Sequence, residues 1–149
     1  MRRALGDGFE LDDDPARLDL DAIHAYIGGE SYWGRGRSRE MVERAVAGST
    51  RVVGLYLGAE QVGFARTVSD DATVGYLADV YVLAEHRGRG LGLALVREAL
   101  DGEAPGAPAR EVRWMLHTAD AQGLYAKLGF TTQAPRYQLM ERTREPRRG

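Results

Sequence analysis

The run Arg87-Gly88-Arg89-Gly90-Leu91-Gly92 stands directly ahead of an apolar helical pattern, and its residue types suit a phosphate. Glycines at alternate positions permit positive φ angles and put no side chain between backbone and ligand. Several N–H groups can then converge at the positive end of the following helix, where an anion is favoured. Arg87 and Arg89 supply charge for a diphosphate. The same pattern also serves as a plain tight connection, so the turn alone does not decide. Two other phosphate loops are excluded by spacing. A dinucleotide fold requires G-x-G-x-x-G early in a βαβ unit, whereas here G-x-G-x-G comes late, after antiparallel-looking strands. A Walker loop requires Gly-Lys-Ser/Thr, which is absent.

Asp79 lies in a strand pattern where Val80 and Val82 alternate with Asp79 and Tyr81, and a charge there needs a reason. Tyr32, Trp33, Arg35 and Arg37 crowd one loop. His24, His86 and His117 show no metal-ligand spacing, so no metal is expected. The chain has no cysteine, which excludes disulfides, thiolate metal sites and cysteine nucleophiles together.

The elements that must position these residues alternate along the chain. Phe9–Leu11 reads as a short first strand. Leu18, Leu20, Ile23, Tyr26 and Ile27 recur at helical spacing up to a stop at Gly28-Gly29. Ser38 is the expected N-cap of a second helix with Met41, Val42, Ala45 and Val46 on one face and Gly48 as its stop. Strands are expected over Arg51–Leu57 and Gln61–Val68, around the turn Gly58-Ala59-Glu60, and over Thr73–Val82. A helix follows the glycine-rich turn through Leu93, Leu95, Val96 and Leu100. Segment 101–109, with Gly102, Pro105, Gly106 and Pro108, reads as a surface loop. Val112–Leu116 reads as a strand. Asp120 is the expected cap of a last helix bearing Leu124, Tyr125 and Leu128 and closed by Gly129, and Tyr137–Met140 as a final strand. Three adjacent strands followed by strand–helix repeats imply a mixed sheet with helices on its faces, an α/β (α+β) fold.

Length and charge narrow the function classes. At 149 residues and 44% hydrophobic content, one domain over 1–149 with a filled core is expected, its body about 8–141 and a solvated tail at 142–149. The tail carries four arginines without an interleaved aromatic, and the net charge is -2, so neither nucleic acid nor membrane is an expected partner. No signal-like apolar run follows Met1, and the expected location is cytoplasmic.

In this context Tyr76–Val82, three residues, and then His86–Gly92 ahead of an apolar helix resemble the coenzyme-A-binding motif of the GNAT superfamily of N-acetyltransferases. That motif is Q/R-x-x-G-x-G/A, with Arg87, Gly90 and Gly92 at its fixed positions. Downstream, 121–130 (AQGLYAKLGF) is similar to the family's A-x-x-L/F-Y-x-K-x-G-F segment. The resemblance spans roughly Arg51 to Met140. It implies a mostly antiparallel sheet of about six or seven strands, helices on both faces, and a V-shaped cleft between the family's fourth and fifth strands. Those strands match Tyr76–Val82 and Val112–His117 here.

The resemblance further implies acetyl-CoA as co-substrate. Its pantetheine arm would pair with the backbone of Val80, Tyr81 and Val82 as an added strand. Its diphosphate would meet Arg87, Gly88, Arg89, Gly90, Leu91, Gly92 and Leu93, with Lys127 from the second motif also on the coenzyme. Many members carry Asn where Thr118 stands, and Thr118 retains a hydrogen-bonding group for pantetheine. A neutral amine would attack the thioester directly, and an N–H near Val80 or Val82 would stabilise charge on the carbonyl oxygen. Tyr125 matches the phenol that protonates the departing thiolate. Asp79 is the first candidate to take the amine's proton and His117 the second. Tyr32, Trp33, Arg35 and Arg37 match the variable acceptor loop, and suit an acceptor with an apolar body or a carboxylate. The same Tyr–Trp pair could instead pack the helices together.

The implied acceptor is a small-molecule or amino-acid-like primary amine. The alternatives are a protein or peptide N-acetyltransferase and a non-catalytic acetyl-CoA sensor. Homodimers are common in the family.

Overall fold

The computed structural model describes residues 2–101, 112–132 and 139–143. The chain divides into two compact units, 1–119 and 120–149.

In the first unit, alternating apolar residues at the middle of the chain build the sheet. Strands β1 (Arg2–Gly6), β2 (Phe9–Asp12), β3 (Arg51–Leu57), β4 (Glu60–Ser69), β5 (Val74–Val82) and β6 (Arg113–Met115) lie in chain order. All neighbours are antiparallel except β5 and β6, which are parallel. The expected mixed, mostly antiparallel sheet is therefore present. β3 and β4 meet at the expected hairpin, where Gly58 has φ 61°. β1 was not expected: four of its five residues are exposed, so it carries no alternation for a sequence reading to detect.

Helix α1 (Leu20–Ala25) starts at Asp19, whose side chain accepts from the Ala22 N–H at 3.0 Å. Helix α2 (Arg39–Ala47) starts at Ser38, whose hydroxyl accepts from the Met41 N–H, and ends at Gly48 as the sequence implied. Between them Tyr26–Glu30 widens into a single π turn, with the Ser31 N–H donating to the Tyr26 carbonyl at 2.9 Å. Gly28 and Gly29 fall inside this turn rather than ending the helix before it.

Ile23, Tyr26 and Ile27 pack with Val42 of α2 on Val52, Phe64 and Tyr81 of the sheet. The pleat sends Val53, Leu55 and Ala65 to the opposite face, and helix α3 (Leu91–Asp101) contacts the same three strands. Helices thus cover both faces. Inside α3 the acid Glu98 is buried, and Arg51 and Arg3 reach it at 3.0 and 3.2 Å. The Arg51 guanidinium also donates to the Glu98 carbonyl, so α3 is tied to β1 and β3 by charge as well as by packing.

In the second unit, helix α4 (Gln122–Ala126) is preceded by Ala121 without a side-chain cap, not by Asp120 as expected. The loop expected at 101–109 and the tail at 142–149 lie largely outside the described residues, and of the strand expected at 137–140 only Leu139 and Met140 are described, both exposed and neither in a strand. Among the described residues no helix is long and apolar enough to cross a membrane.

Candidate active site

Parallel pairing between β5 and β6 is short. It runs over Val74↔Arg113, Gly75↔Trp114 and Tyr76↔Met115 and then stops. From Leu77 to Val82 the β6-facing edge of β5 has no strand partner among the described residues. An open edge inside a sheet is a template for an extended ligand. At the parting point the Tyr76 hydroxyl and His117 Nδ1 are hydrogen-bonded at 2.5 Å.

Three residues further along β5, the register with β4 slips: Arg66 pairs with Ala78 but Phe64 with Tyr81. Asp79 and Val80 therefore oppose the single residue Ala65, a β-bulge, with Asp79 at φ 55°. Aspartate tolerates this left-handed conformation better than most residues. Its carboxylate, 7% exposed, is surrounded by donors. Oδ1 accepts from Trp33 Nε1 at 2.8 Å and from Arg37 at 3.0 Å. Oδ2 accepts from Arg37 at 3.0 Å and from Arg66 Nε at 2.6 Å. Three donor nitrogens make four contacts, Arg37 Nη1 reaching both oxygens, and these occupy the roughly four lone-pair positions of an ionised carboxylate. Burial pushes the Asp79 carboxyl up, but the Arg66 bond and the charges of Arg66 and Arg37, aided by Trp33, outweigh it and hold the group below its ordinary value.

This pairing has a measurable signature. Asp79→Asn is expected to lose about 2–4 kcal/mol of stability at pH 7, since a half-removed buried ion pair is costly and water reaches these arginines only partly. A carboxyl with a depressed folded-state pKa stabilises above its unfolded pKa and loses that contribution as pH falls through the folded value. Urea melts of both proteins should therefore differ at pH 7, begin to converge only as pH drops below about 4, and meet once it has passed the lowered folded-state value. A constant difference across that range would show that the charge is not what holds the cluster.

The loop after the π turn supplies two of those donors. Trp33 and Arg37 bind Asp79, and His24 Nε2 and the Arg37 carbonyl are 3.0 Å apart, fixing the loop to α1. Tyr26 stacks on Tyr81 at 4.0 Å and 9°, and Trp33 leans on Tyr26 at 6.4 Å. Tyr32 stands edge-on to Trp33 at 5.1 Å, and its hydroxyl accepts from the Ala119 N–H at 2.8 Å. One short loop thus touches β5 through Trp33 and the segment after β6 through Tyr32, spanning the gap between them. Tyr32 and Trp33 remain 50% and 38% exposed, so they line a surface rather than only filling the core. Arg35 is exposed and makes none of these contacts.

Beyond Val82 the chain makes a 3-10 turn, Ala84–His86, with His86 edge-on to Phe9, and enters the glycine loop. Gly88 and Gly90 have φ 79° and 76°, while Gly92 is already helical. A Cβ built on Gly88 or Gly90 meets nothing within 4 Å, so both face open space. The first N–H groups of α3 have no carbonyl one turn earlier in the helix and face the same loop. A diphosphate therefore fits: open backbone, positive φ and the positive end of an eleven-residue helix coincide. Arg89 is exposed, with its guanidinium 6.0 Å from the Phe9 ring. Arg87 is committed elsewhere. Its Nε donates to the Val82 carbonyl at 2.9 Å and Nη2 to the Tyr26 hydroxyl at 2.8 Å, so it braces the end of β5 against α1.

Thr118 is half-buried just past β6. In the second unit Tyr125 is buried in α4, edge-on to Phe130 at 5.8 Å, and Lys127 at the helix end is exposed. Among the described residues no group of histidine and acidic side chains could hold a metal ion. Sequence reasoning passed over Arg66, Tyr26 and Tyr76. Arg66 had a signal: a base inside an apolar strand, one strand away from an unexplained acid.

A family profile described as "Acetyltransferase (GNAT) domain" matches residues 48–132. A Gibberella zeae protein inferred to be an acetyltransferase is 34% identical, over 76% of this chain and 73% of its own length. The crystal structure of a Xanthomonas campestris protein assigned to the GNAT family superposes with a TM-score of 0.79 at 37% identity, covering 91% of this chain and 92% of that one. A Staphylococcus aureus protein shares the fold at 22% identity, with a TM-score of 0.69 over 91% and 99% of the two chains.

Proposed function

Because the chain belongs to the GNAT superfamily of acetyltransferases, we propose that it transfers acetyl from acetyl-CoA to the primary amine of a small-molecule acceptor by direct attack. The observation that carries this most is the continuity of the open β5 edge with the Gly88–Gly90 loop and the start of α3. An extended arm ending in a diphosphate has matching partners along that whole path.

Acetyl-CoA supplies the thioester, whose carbonyl carbon gains the amine nitrogen while its bond to sulfur breaks and the sulfur leaves with a proton. Val80, Tyr81 and Val82 hold the pantetheine arm through their peptides, and Thr118 and Lys127 add polar contacts. Residues 87–93 hold the diphosphate, with Arg89 rather than Arg87 giving the side-chain charge, because Arg87 is engaged with Val82 and Tyr26. A backbone N–H from Val80 at the bulge, or from Val82 two residues beyond it, stabilises charge on the carbonyl oxygen. Tyr125, assigned by its motif, gives the proton to sulfur. Asp79 was the first choice for the opposite role, yet a carboxylate held by three donors through four contacts, with a lowered pKa, is a poor proton acceptor. We therefore give it a positioning role, holding the acceptor loop on the bulge, and let the amine shed its proton to water. The expected compartment is the cytoplasm.

Thermal melting tests the coenzyme assignment. Acetyl-CoA at a hundredfold excess over Kd is expected to stabilise the fold by ~2.7 kcal/mol, a rise in Tm of about 5–10 °C for a chain of this size. ATP and NAD, which lack the pantetheine arm, should give much smaller shifts. Equal shifts from ATP and acetyl-CoA would remove the assignment.

A further inference from the structure

We propose that the acceptor carries a free carboxylate, read by Arg66 together with Arg37, and that it is a free amino acid with an apolar or aromatic side chain. This rests on the acetyltransfer reading above and names the class of its second substrate.

The cluster at the bulge is not neutral. Two guanidinium groups share the single carboxylate of Asp79, leaving one positive charge in excess. Arg66 meets Asp79 only through Nε, and among the described residues neither of its terminal nitrogens has a partner. Arg37 uses only Nη1 on Asp79, and its Nη2 is likewise without a partner among the described residues. Yet the Arg66 and Arg37 side chains are only 15% and 23% exposed. Their unpartnered nitrogens reach the surface from mostly buried side chains, and guanidinium donors aimed outward from a fixed anchor suit a planar carboxylate, which they can grip with two parallel bonds.

Position sets the size of the acceptor. Arg66 pairs with Ala78, beside the bulge at Asp79 and Val80 where the carbonyl oxygen is assigned. The cation and the reacting nitrogen are thus separated by a few atoms, the spacing of an amino acid's carboxylate and amine. Arg66 shares its face of the sheet with Val68 and, across the ladder, with Ala78 and Tyr76, and Val68 is exposed. Trp33 donates from the loop to the same Asp79 that Arg66 holds, with Tyr32 edge-on to it. An apolar side chain therefore has apolar and aromatic surface to lie on. A polyamine would bring like charge to the excess cation, and a peptide terminus has its α-carboxyl tied up in an amide.

The test presents the twenty standard amino acids to the full chain with acetyl-CoA, each beside its carboxamide, with spermidine and glucosamine 6-phosphate as further probes. N-acetyl products are counted by mass spectrometry. At least one apolar or aromatic amino acid is expected to exceed its carboxamide by roughly 10- to 100-fold in kcat/KM, mostly through KM, the size of a lost charged hydrogen bond. Arg66→Met is expected to bring that ratio down toward one. Arg66→Lys keeps a cation on Asp79, and should melt near wild type while losing most of the preference, which guards against a folding defect. Carboxamides or spermidine used as well as the acids, or glucosamine 6-phosphate preferred to all of them, would overturn the carboxylate assignment and leave acetyl transfer standing. So would acetyl-CoA binding with no amino acid acetylated. Silence on every amine with no acetyl-CoA shift in Tm would bring down both.

Discussion

Replacing Tyr125 by phenylalanine is expected to lower kcat by roughly 10- to 1000-fold while leaving the melting temperature close to wild type. The substitution removes one hydroxyl and keeps the ring that meets Phe130 edge-on at 5.8 Å. Under the proposed mechanism that hydroxyl donates to sulfur only as the C–S bond breaks, so its contribution belongs to the transition state. General acids are worth ~10²–10⁴, and water standing in for the phenol would lower the figure. KM for acetyl-CoA should change little where chemistry is slow relative to release of the coenzyme. A purely structural tyrosine gives the opposite pattern, since Tyr125 is buried in α4 and its loss of a polar contact would register in stability. Single-turnover kinetics paired with a melt separates the two. An intact kcat in a reaction limited by chemistry would take Tyr125 out of the mechanism.

How much of this was legible in the sequence depended on whether a feature is local. Ser38 as an N-cap, the Gly58 hairpin and the positive φ of Gly88 and Gly90 all follow from residue type within a few positions, and the structure carries each. The family motifs are local too, each contained in about ten residues. Asp79 shows the limit. Its place in a strand marked it as unusual, but its partners lie 46, 42 and 13 residues away, at Trp33, Arg37 and Arg66. No spacing rule along the chain could pair them, and without the partners the acid looked like a base. The bulge was hidden for a related reason: a two-against-one register belongs to the pair β4–β5, not to either strand alone. Arg87 shows the limit from another side. Its place in a motif suggested a phosphate ligand, whereas its side chain turns back to Val82 and Tyr26.

These non-local contacts join the two proposed substrate sides. Tyr26 is bonded by Arg87 from the glycine loop, stacks on Tyr81 of β5 and supports Trp33 of the acceptor loop. A residue that reads as one apolar position of a helix is therefore the joint between the proposed coenzyme path and the loop proposed to face the acceptor. Its burial, together with the π turn that begins at it, is what brings Trp33 onto Asp79.

Gly90→Val is expected to weaken acetyl-CoA binding by about 100-fold or more, equivalent to ~2.7 kcal/mol, while the protein still folds. Gly90 holds φ 76°, and a β-branched residue there costs about 1–2 kcal/mol in backbone strain. No clash adds to that cost, because a Cβ at this position meets nothing within 4 Å. The isopropyl group instead occupies the open side of the loop, where the diphosphate is assigned. Strain and obstruction can be told apart with Gly90→Asn, since asparagine tolerates positive φ far better than valine. The Asn variant should melt near wild type and still bind acetyl-CoA weakly, because its side chain crowds the same space. Calorimetric titration of both variants, alongside their melting curves, gives the answer. If both bind as tightly as wild type, residues 87–92 are a connector between β5 and α3 and the diphosphate lies elsewhere. If Asn binds normally and Val does not, the loss comes from a distorted loop rather than a blocked one, and the N–H groups of α3 become the main phosphate contacts.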